Sequence, residues 1–103
     1  MLLIIGRIRR RSAMLTLARF VEDEDEIDLL AYRLAMLGEA ASKLSSALRE
    51  RHPQIPWRQM VGLRNIVSHE YMRVTPARIW QTAQQDLEPV EALCRVELGR
   101  QDQ

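Results

Sequence analysis

A chain of 103 residues, 47% hydrophobic and 28% charged, is expected to be one small globular domain, residues 1–103, with a single modest core. Its net charge of +1 argues against a protein that coats nucleic acid by electrostatics alone. Cys94 is the only cysteine, which excludes an intrachain disulfide and a cysteine-based metal site. Aromatic residues make up only 5% of the chain, and its richness in Ala, Leu, Glu and Arg favours helix over sheet.

Residues 1–11 begin apolar and end in arginines: Arg7, Arg9, Arg10 and Arg11. We interpret them as a short helix whose cations lie near its C-terminal end, where the helix dipole favours positive charge. A patch that contacts phosphate is the alternative.

The apolar run is too short to span a membrane, and the arginines follow it rather than precede it as in a signal peptide. We therefore expect a cytoplasmic protein that does not associate with membranes.

Five consecutive acidic residues occupy positions 22–26, and Asp28 lies just beyond them. We interpret this run as a solvated loop followed by the first turn of a helix, where negative charge is favoured. A divalent-cation site is the alternative, but consecutive carboxylates cannot all face one ion. No metal ligand set is predicted.

A long helical pattern begins at Ile27, and its apolar residues recur at steps of three and four: Ile27, Leu30, Leu34, Leu37, Ala41, Leu44 and Leu48. The pattern predicts one helix that ends near Arg51, because His52 precedes Pro53 and is pushed away from helical angles. We expect His52 to be a surface loop residue without an acid–base partner.

Small residues at Gly38, Ala40 and Ala41 leave part of this helix slim, so a neighbouring helix can approach it closely. Glu39 lies beside that stretch. Its side chain is either simply solvated or orients a group on the facing helix.

Two further helices are predicted after Pro53. Pro56 suits the first turn of a third helix, and Thr75 followed by Pro76 suits the N-cap and first position of a fourth. Pro89 is expected to kink the fourth helix. Cys94 lies on its apolar face and is interpreted as a small core residue. The predicted fold is an all-α, up-and-down helical bundle.

The residues best suited to chemistry lie on the third helix: Arg64, Asn65, His69 and Tyr71. An arginine binds phosphate through a planar fork of donors, and an imidazole transfers protons near neutral pH. These groups are sufficient for RNA cleavage without a metal. On an ideal α-helix, five residues correspond to about 140° of rotation, so Arg64 and His69 of one subunit would not share a stripe. A two-fold dimer would bring two copies around one groove.

Structural roles for the same residues stay open. Arg64 could pair with Glu39 across helices, His69 could be a half-buried and satisfied histidine, and Tyr71 could pack at a helix end.

The spacing Arg-x4-His-x-Tyr at residues 64–71 resembles the signature of HepT-like toxins in the HEPN ribonuclease superfamily. Further landmarks in the same order extend the resemblance over roughly residues 27–95: residues 37–41, 53–57, 62–65 and 86–87. The resemblance implies a helical bundle whose Arg and His motifs meet at a homodimer interface to form one ribonuclease site. HepT-like proteins open with a long helix, whereas only about eleven residues precede Ser12 here, so a shortened first helix is expected unless the true start lies upstream.

Carried over to this chain, the resemblance makes Arg64 and His69 catalytic, with Asn65 and Glu39 in support. Tyr71 matches the tyrosine that a partner nucleotidyltransferase, an MntA-like antitoxin, modifies with AMP. The implied function is a cofactor-free RNA endonuclease, the toxin of a type VII toxin–antitoxin system, as a homodimer or in a larger assembly with the antitoxin. The alternative function is a weakly active or inactive HEPN binding module that scaffolds the nucleotidyltransferase.

Overall fold

The computed structural model describes residues 1–66 and 75–101, which form an all-α fold with no strand in these two ranges. Its helices are α1 (Leu2–Ser12), α2 (Leu17–Phe20), α3 (Glu24–Ser42), α4 (Ser46–Arg51), α5 (Trp57–Gly62), α6 (Pro76–Gln85) and α7 (Glu88–Gln101), and a 3₁₀ turn (Leu63–Asn65) follows α5. The all-α class predicted from the sequence is confirmed. No helix in the described ranges is long and apolar enough to cross a membrane.

Helix α3 lies at the centre of the bundle and contacts α1, α2, α5, the 3₁₀ turn and α6. Its residues Leu34, Leu37 and Ala41 are completely buried. Apolar side chains from the rest of the chain complete the core, and the largest fully buried ones outside α3 are Ile5, Ile8, Phe20, Ile79, Leu87 and Val90. Burial of these side chains is the main favourable term that holds the helices together.

The first helix forms as predicted, and two of its arginines bind carboxylates of the fold. Arg9 lies 2.6 Å from Glu91 of α7, and Arg11 forms a forked ion pair with Glu26 of α3. Ile5 and Ile8 face the core on the other side of α1. Arg9 and Arg11 therefore serve as links between helices, which weakens the alternative of a phosphate patch.

The acidic run initiates α3, as the sequence indicated. The Asp23 carboxylate accepts hydrogen bonds from the backbone amides of Asp25 and Glu26, at 3.1 and 3.2 Å, and so caps the helix N-terminus. The prediction that this acidic run is solvated is wrong for Glu26, which is 8% exposed and paired with Arg11. Within the described ranges, no group of three or more His, Cys, Asp or Glu side chains is placed to hold a metal ion.

The prediction of one helix from Ile27 to Arg51 is wrong. Helix α3 ends at Ser42, and Ser45 caps the separate helix α4 by accepting the amide of Leu48 at 3.1 Å. The Arg49 guanidinium turns back to the end of α3 and donates to the carbonyls of Ala41 and Ser42, at 3.0 and 2.8 Å. Carbonyls that a continuous helix would have bonded internally are satisfied by this side chain instead.

The predicted fourth helix is divided into α6 and α7. Thr75 caps α6 by accepting the amide of Arg78, and Pro76 occupies the first turn as predicted. The chain leaves helical geometry after Gln85 and resumes it at Glu88. The helix is therefore broken before Pro89 and not kinked at Pro89 as predicted. Pro89 lies in the first turn of α7, where an amide hydrogen has no partner within the helix.

Cys94 is half-buried against the core, and burial raises the pKa of its thiol, in keeping with the core role predicted for it.

A buried polar cluster joins α7 to the loop between α4 and α5, and it corrects the prediction for His52. His52 is only 9% exposed, and its Nε2 lies 2.7 Å from Oε1 of Glu97, which is also 9% exposed. Arg51 donates to both Glu97 oxygens, at 3.1 and 2.8 Å. Burial beside the Glu97 carboxylate explains why His52 is not a surface loop residue.

The same cluster fixes the start of α5. The Trp57 indole donates to the carbonyl of His52 at 2.9 Å and to that of Arg49 at 3.2 Å. Trp57 is the first residue of α5, the helix that leads directly into Arg64. The polar cluster therefore positions the helix that leads into the 3₁₀ turn of Arg64 and Asn65.

The Glu97 carboxylate makes the fold sensitive to acid. Its hydrogen bonds from Arg51 and then His52 lower its pKa to about 2, from an ordinary value of 4.5. A carboxyl whose pKa is lower in the folded state stabilises the fold above its ordinary pKa, and this stabilisation is lost as the pH falls through the folded value.

We therefore expect Glu97→Gln to lower the free energy of unfolding at pH 7, and the difference from wild type to shrink between about pH 4.5 and pH 2. Urea unfolding followed by circular dichroism across this range measures the difference. The exposed Glu22→Gln is the control and should leave stability near the wild-type value at pH 7. A difference between Glu97→Gln and wild type that does not change with pH would contradict this account.

Candidate active site

The segment that carries Arg64 packs directly against the backbone of α3 at Gly38. A Cβ atom built on Gly38 would lie 2.5 Å from the amide nitrogen of Arg64, 2.8 Å from the carbonyl oxygen of Met60 and 3.0 Å from the carbonyl carbon of Leu63. All three atoms belong to the backbone, so none can turn aside as the end of a flexible side chain would. The slim stretch predicted on α3 is therefore the place where the Arg64 backbone is held.

Arg64 and Asn65 lie in the 3₁₀ turn, and both are exposed. The half-buried Leu63 and Ile66 flank them and pack on the core, and the amide of Ile66 donates to the carbonyl of Leu63 at 3.0 Å. The turn therefore directs two apolar residues inward and presents two polar residues to solvent.

The Arg-x4-His motif was assumed to be α-helical throughout, and this assumption is wrong at Arg64, its first residue. The α-helix ends at Gly62, before Arg64, and a 3₁₀ turn has about three residues per turn rather than 3.6. The 140° separation between Arg64 and His69 therefore does not follow, because it assumed an unbroken α-helix. His69 and Tyr71 lie outside the described residues, so their placement relative to Arg64 stays a prediction.

Glu39 lies on α3 next to Gly38, but its carboxylate is not paired with Arg64. It is exposed and lies 4.0 Å from the ammonium group of Lys43, one turn along the same helix. Surface pairs of this kind contribute little to stability. A supporting role for Glu39 toward a neighbouring helix stays a prediction.

Arg64 differs from the arginines whose guanidinium groups bind carboxylates or carbonyls of the protein. Five arginines form ion pairs with carboxylates, and two more donate to backbone carbonyls: Arg9, Arg11, Arg51, Arg95 and Arg100, then Arg33 and Arg49. Within residues 1–66 and 75–101, no carboxylate forms an ion pair with Arg64. None of the carboxylates in these two ranges therefore competes with an anion for its guanidinium.

A groove of about 480 Å³ lies between α5 with its 3₁₀ turn on one side and α6 on the other. The first wall includes Met60, Gly62, Leu63 and Ile66, and the second includes Arg78, Ile79, Thr82, Gln85 and Asp86. Arg78 was not among the predicted site residues, although Arg78, Thr82 and Gln85 recur at helical spacing on one polar face of α6.

The close approach at Gly38 leads to a prediction with an internal control. Gly38→Ala is expected to lower the free energy of unfolding by roughly 1–3 kcal/mol, because α3 and the 3₁₀ turn must move apart. Gly62→Ala should be neutral or stabilising by up to about 1 kcal/mol, since its Cβ meets no atom within 4 Å. Urea denaturation of both variants measures these changes. Equal effects of the two alanines would contradict the contact described here.

The comparisons with known proteins agree with this architecture. The family model described as "Ribonuclease HepT-like" matches residues 1–97. "Putative RNase MJ1380" of Methanocaldococcus jannaschii is 34% identical over 58 residues, which cover 56% of this chain and 53% of that protein. "Putative RNase TTE0752" of Caldanaerobacter subterraneus subsp. tengcongensis is 32% identical over 72 residues, covering 70% and 64%.

A third relative, "Probable ribonuclease HepT" of Thermococcus cleftensis, is 33% identical over 54 residues, covering 52% of this chain and 49% of that protein. The chain thus spans about half to two thirds of the length of these relatives. No solved structure matches it. Because the family model matches residues 1–97 and the fold is helical, the chain belongs to the HepT-like ribonuclease family.

Proposed function

We propose that this protein is a metal-independent RNA endonuclease in which Arg64 and His69 are the catalytic residues. The observation that carries the proposal is the arrangement at Arg64. Its backbone is held against Gly38, its side chain is exposed, and no carboxylate of the described residues is paired with it. Membership of the HepT-like ribonuclease family supports RNA as the substrate.

The proposed reaction needs two proton transfers and one centre of positive charge. One imidazole removes the proton of the 2′-hydroxyl, whose oxygen forms a bond to phosphorus while the bond from phosphorus to the 5′-oxygen breaks. A protonated imidazole returns a proton to that 5′-oxygen. Arg64 stabilises the extra negative charge on the phosphorane, and Asn65 orients His69 or the phosphate. The products are a 2′,3′-cyclic phosphate and a 5′-hydroxyl.

A homodimer explains how two imidazoles reach one phosphate. A two-fold axis beside the 3₁₀ turn would place a copy of Arg64 and His69 from each subunit around a shared groove. One His69 then acts as the base and the other as the acid. We further propose that the cellular partner is an MntA-like nucleotidyltransferase that acts as antitoxin in a type VII toxin–antitoxin pair.

RNA cleavage is expected to survive EDTA and to depend on pH around 6 to 7, the ordinary range of a histidine pKa. His69→Ala should lower kcat by roughly 100-fold or more, because it removes the proton transfers. Arg64→Ala should lower kcat by about 100- to 1000-fold, because it removes the charge that stabilises the transition state. Cleavage of a fluorescent RNA oligonucleotide measures these rates.

Arg58→Ala is the matched control, since Arg58 is also an exposed arginine without an ion pair in the described part of the chain, on the helix just before the turn. It should keep near wild-type activity. Loss of cleavage with EDTA and its recovery with magnesium would contradict the histidine mechanism. If the chain binds a nucleotidyltransferase but does not cleave RNA, the scaffold function is correct instead.

Tyr71 is proposed as the point of control by the partner. An AMP group on its phenol, two residues after His69, would add bulk and negative charge where the RNA backbone must bind. Tyr71→Phe is therefore expected to keep RNA cleavage and to escape inactivation by the nucleotidyltransferase with ATP. Growth of cells that express both proteins, together with mass spectrometry of the wild-type chain, measures this.

An inactive nucleotidyltransferase, mutated in its own metal-binding carboxylates, provides the control for simple sequestration. If the partner neutralises Tyr71→Phe as well as wild type, and no adduct is found on wild-type Tyr71, inhibition by modification is wrong.

A further inference from the structure

We propose that the groove between α5 and α6 binds one nucleotide of the RNA, with the base against its apolar walls and a phosphate on Arg78. This inference rests on the proposed function, because it names a binding subsite for the same substrate. It adds a residue, Arg78, and a surface that the Arg-x4-His motif does not include.

The location of the groove connects it to Arg64. Its wall includes Leu63 and Ile66, the two residues that flank Arg64 and Asn65 in the chain. The 3₁₀ turn therefore forms part of the groove with its apolar residues and presents the predicted catalytic arginine from the same short segment. An RNA strand whose scissile phosphate binds at Arg64 would place a neighbouring nucleotide at the groove.

The walls match the surface of a nucleobase, which has apolar faces and polar edges. The half-buried Leu63 and Ile66 and the exposed Pro56 and Pro89 supply the apolar surface of the groove, to which the buried Met60 and Ile79 add little. Gln85 and Asp86 lie on the α6 side, where an amide and a carboxylate can bond to the donors and acceptors of a base edge. The volume of about 480 Å³ lies within the usual range of small-molecule sites.

Arg78 supplies the charge complementary to a phosphate. It is exposed on α6 and lines the groove, and within the described ranges its guanidinium forms no ion pair with a carboxylate. Asp86, on the same wall, is not within ion-pair distance of Arg78. In the described part of the chain, exposed arginines without a carboxylate partner thus occur both in the 3₁₀ turn and on the α6 wall of the groove, where each can bind a phosphate.

The test uses AMP, UMP and ribose 5-phosphate as probes, because these separate the base from the phosphate. Binding is measured by NMR titration of the full chain. Arg78→Gln should weaken all three probes roughly tenfold, through loss of charged hydrogen bonds. Gly62→Leu should weaken AMP and UMP by a similar factor but leave ribose 5-phosphate unchanged, since a leucine there occupies space meant for the base.

Two substitutions outside the groove are matched controls. Arg19→Gln removes an exposed arginine on α2, and Gly6→Leu adds the same side chain to an exposed glycine on α1. Neither should change binding of any probe. Among the described residues, a Cβ at Gly62 meets no atom within 4 Å, as at Gly6, so both positions are expected to accept a side chain. Circular dichroism checks that each variant is folded.

The outcomes separate this proposal from the catalytic one. If wild type binds AMP with the expected pattern but does not cleave RNA, the groove is supported and the nuclease proposal fails. If wild type cleaves RNA while Arg78→Gln and Gly62→Leu leave both probe binding and KM unchanged, the groove proposal is overturned. It is also overturned if the two variants convert a dimer to a monomer in light scattering without a change in nucleotide binding, because the groove is then a subunit interface.

Discussion

The arrangement of the candidate site depends on one close contact, between Gly38 of α3 and the backbone that runs from Met60 to Arg64. Only a residue without a side chain allows the two segments to approach this closely, and α3 is the most buried helix of the bundle. The polypeptide around Arg64 is therefore held by backbone packing against α3. Within residues 1–66 and 75–101 no carboxylate is paired with the Arg64 guanidinium, so none of them competes with a ligand for it.

The rest of the charge distribution is consistent with this division. Arginines of α1 and α4 neutralise the carboxylates of Glu26, Glu91 and Glu97 and join helices that are distant in sequence. Around the groove, Arg64 and Arg78 have no such carboxylate within the described part of the chain. The net charge of +1 hides this difference, because paired and unpaired cations count equally in a sum. A nearly neutral protein can thus still present a local cationic surface to RNA.

Local signals predicted where α3, α5 and α6 begin, and tertiary interactions explain why the predicted helices were too long. The capping residues Asp23, Thr75 and Pro76 act on neighbours a few positions away, so their effect is visible in the sequence. The break after Ser42 was missed because Leu44 and Leu48 continue the apolar spacing across it, while the Arg49 side chain satisfies the carbonyls that the break exposes. His52 was misplaced for a related reason. Its partner Glu97 lies 45 residues away, and the only local hint is that Glu97 continues the apolar stripe of Val90 and Cys94.

The site was predictable to the extent that it depends on residue type and on small side chains. The role of Gly38 followed from the slim stretch of α3, and the exposure of Arg64 and Asn65 agrees with a functional motif. The 3₁₀ geometry did not follow, because the motif continues an apolar pattern that also fits an α-helix. That change matters for mechanism. Because the α-helix ends at Gly62, Arg64 does not follow the 3.6-residue spacing of an α-helix. Arg64 and His69 therefore need not be placed like two residues on one straight helix. In the proposed mechanism a dimer supplies the second imidazole, and the argument for it now rests on the two proton transfers rather than on helix geometry.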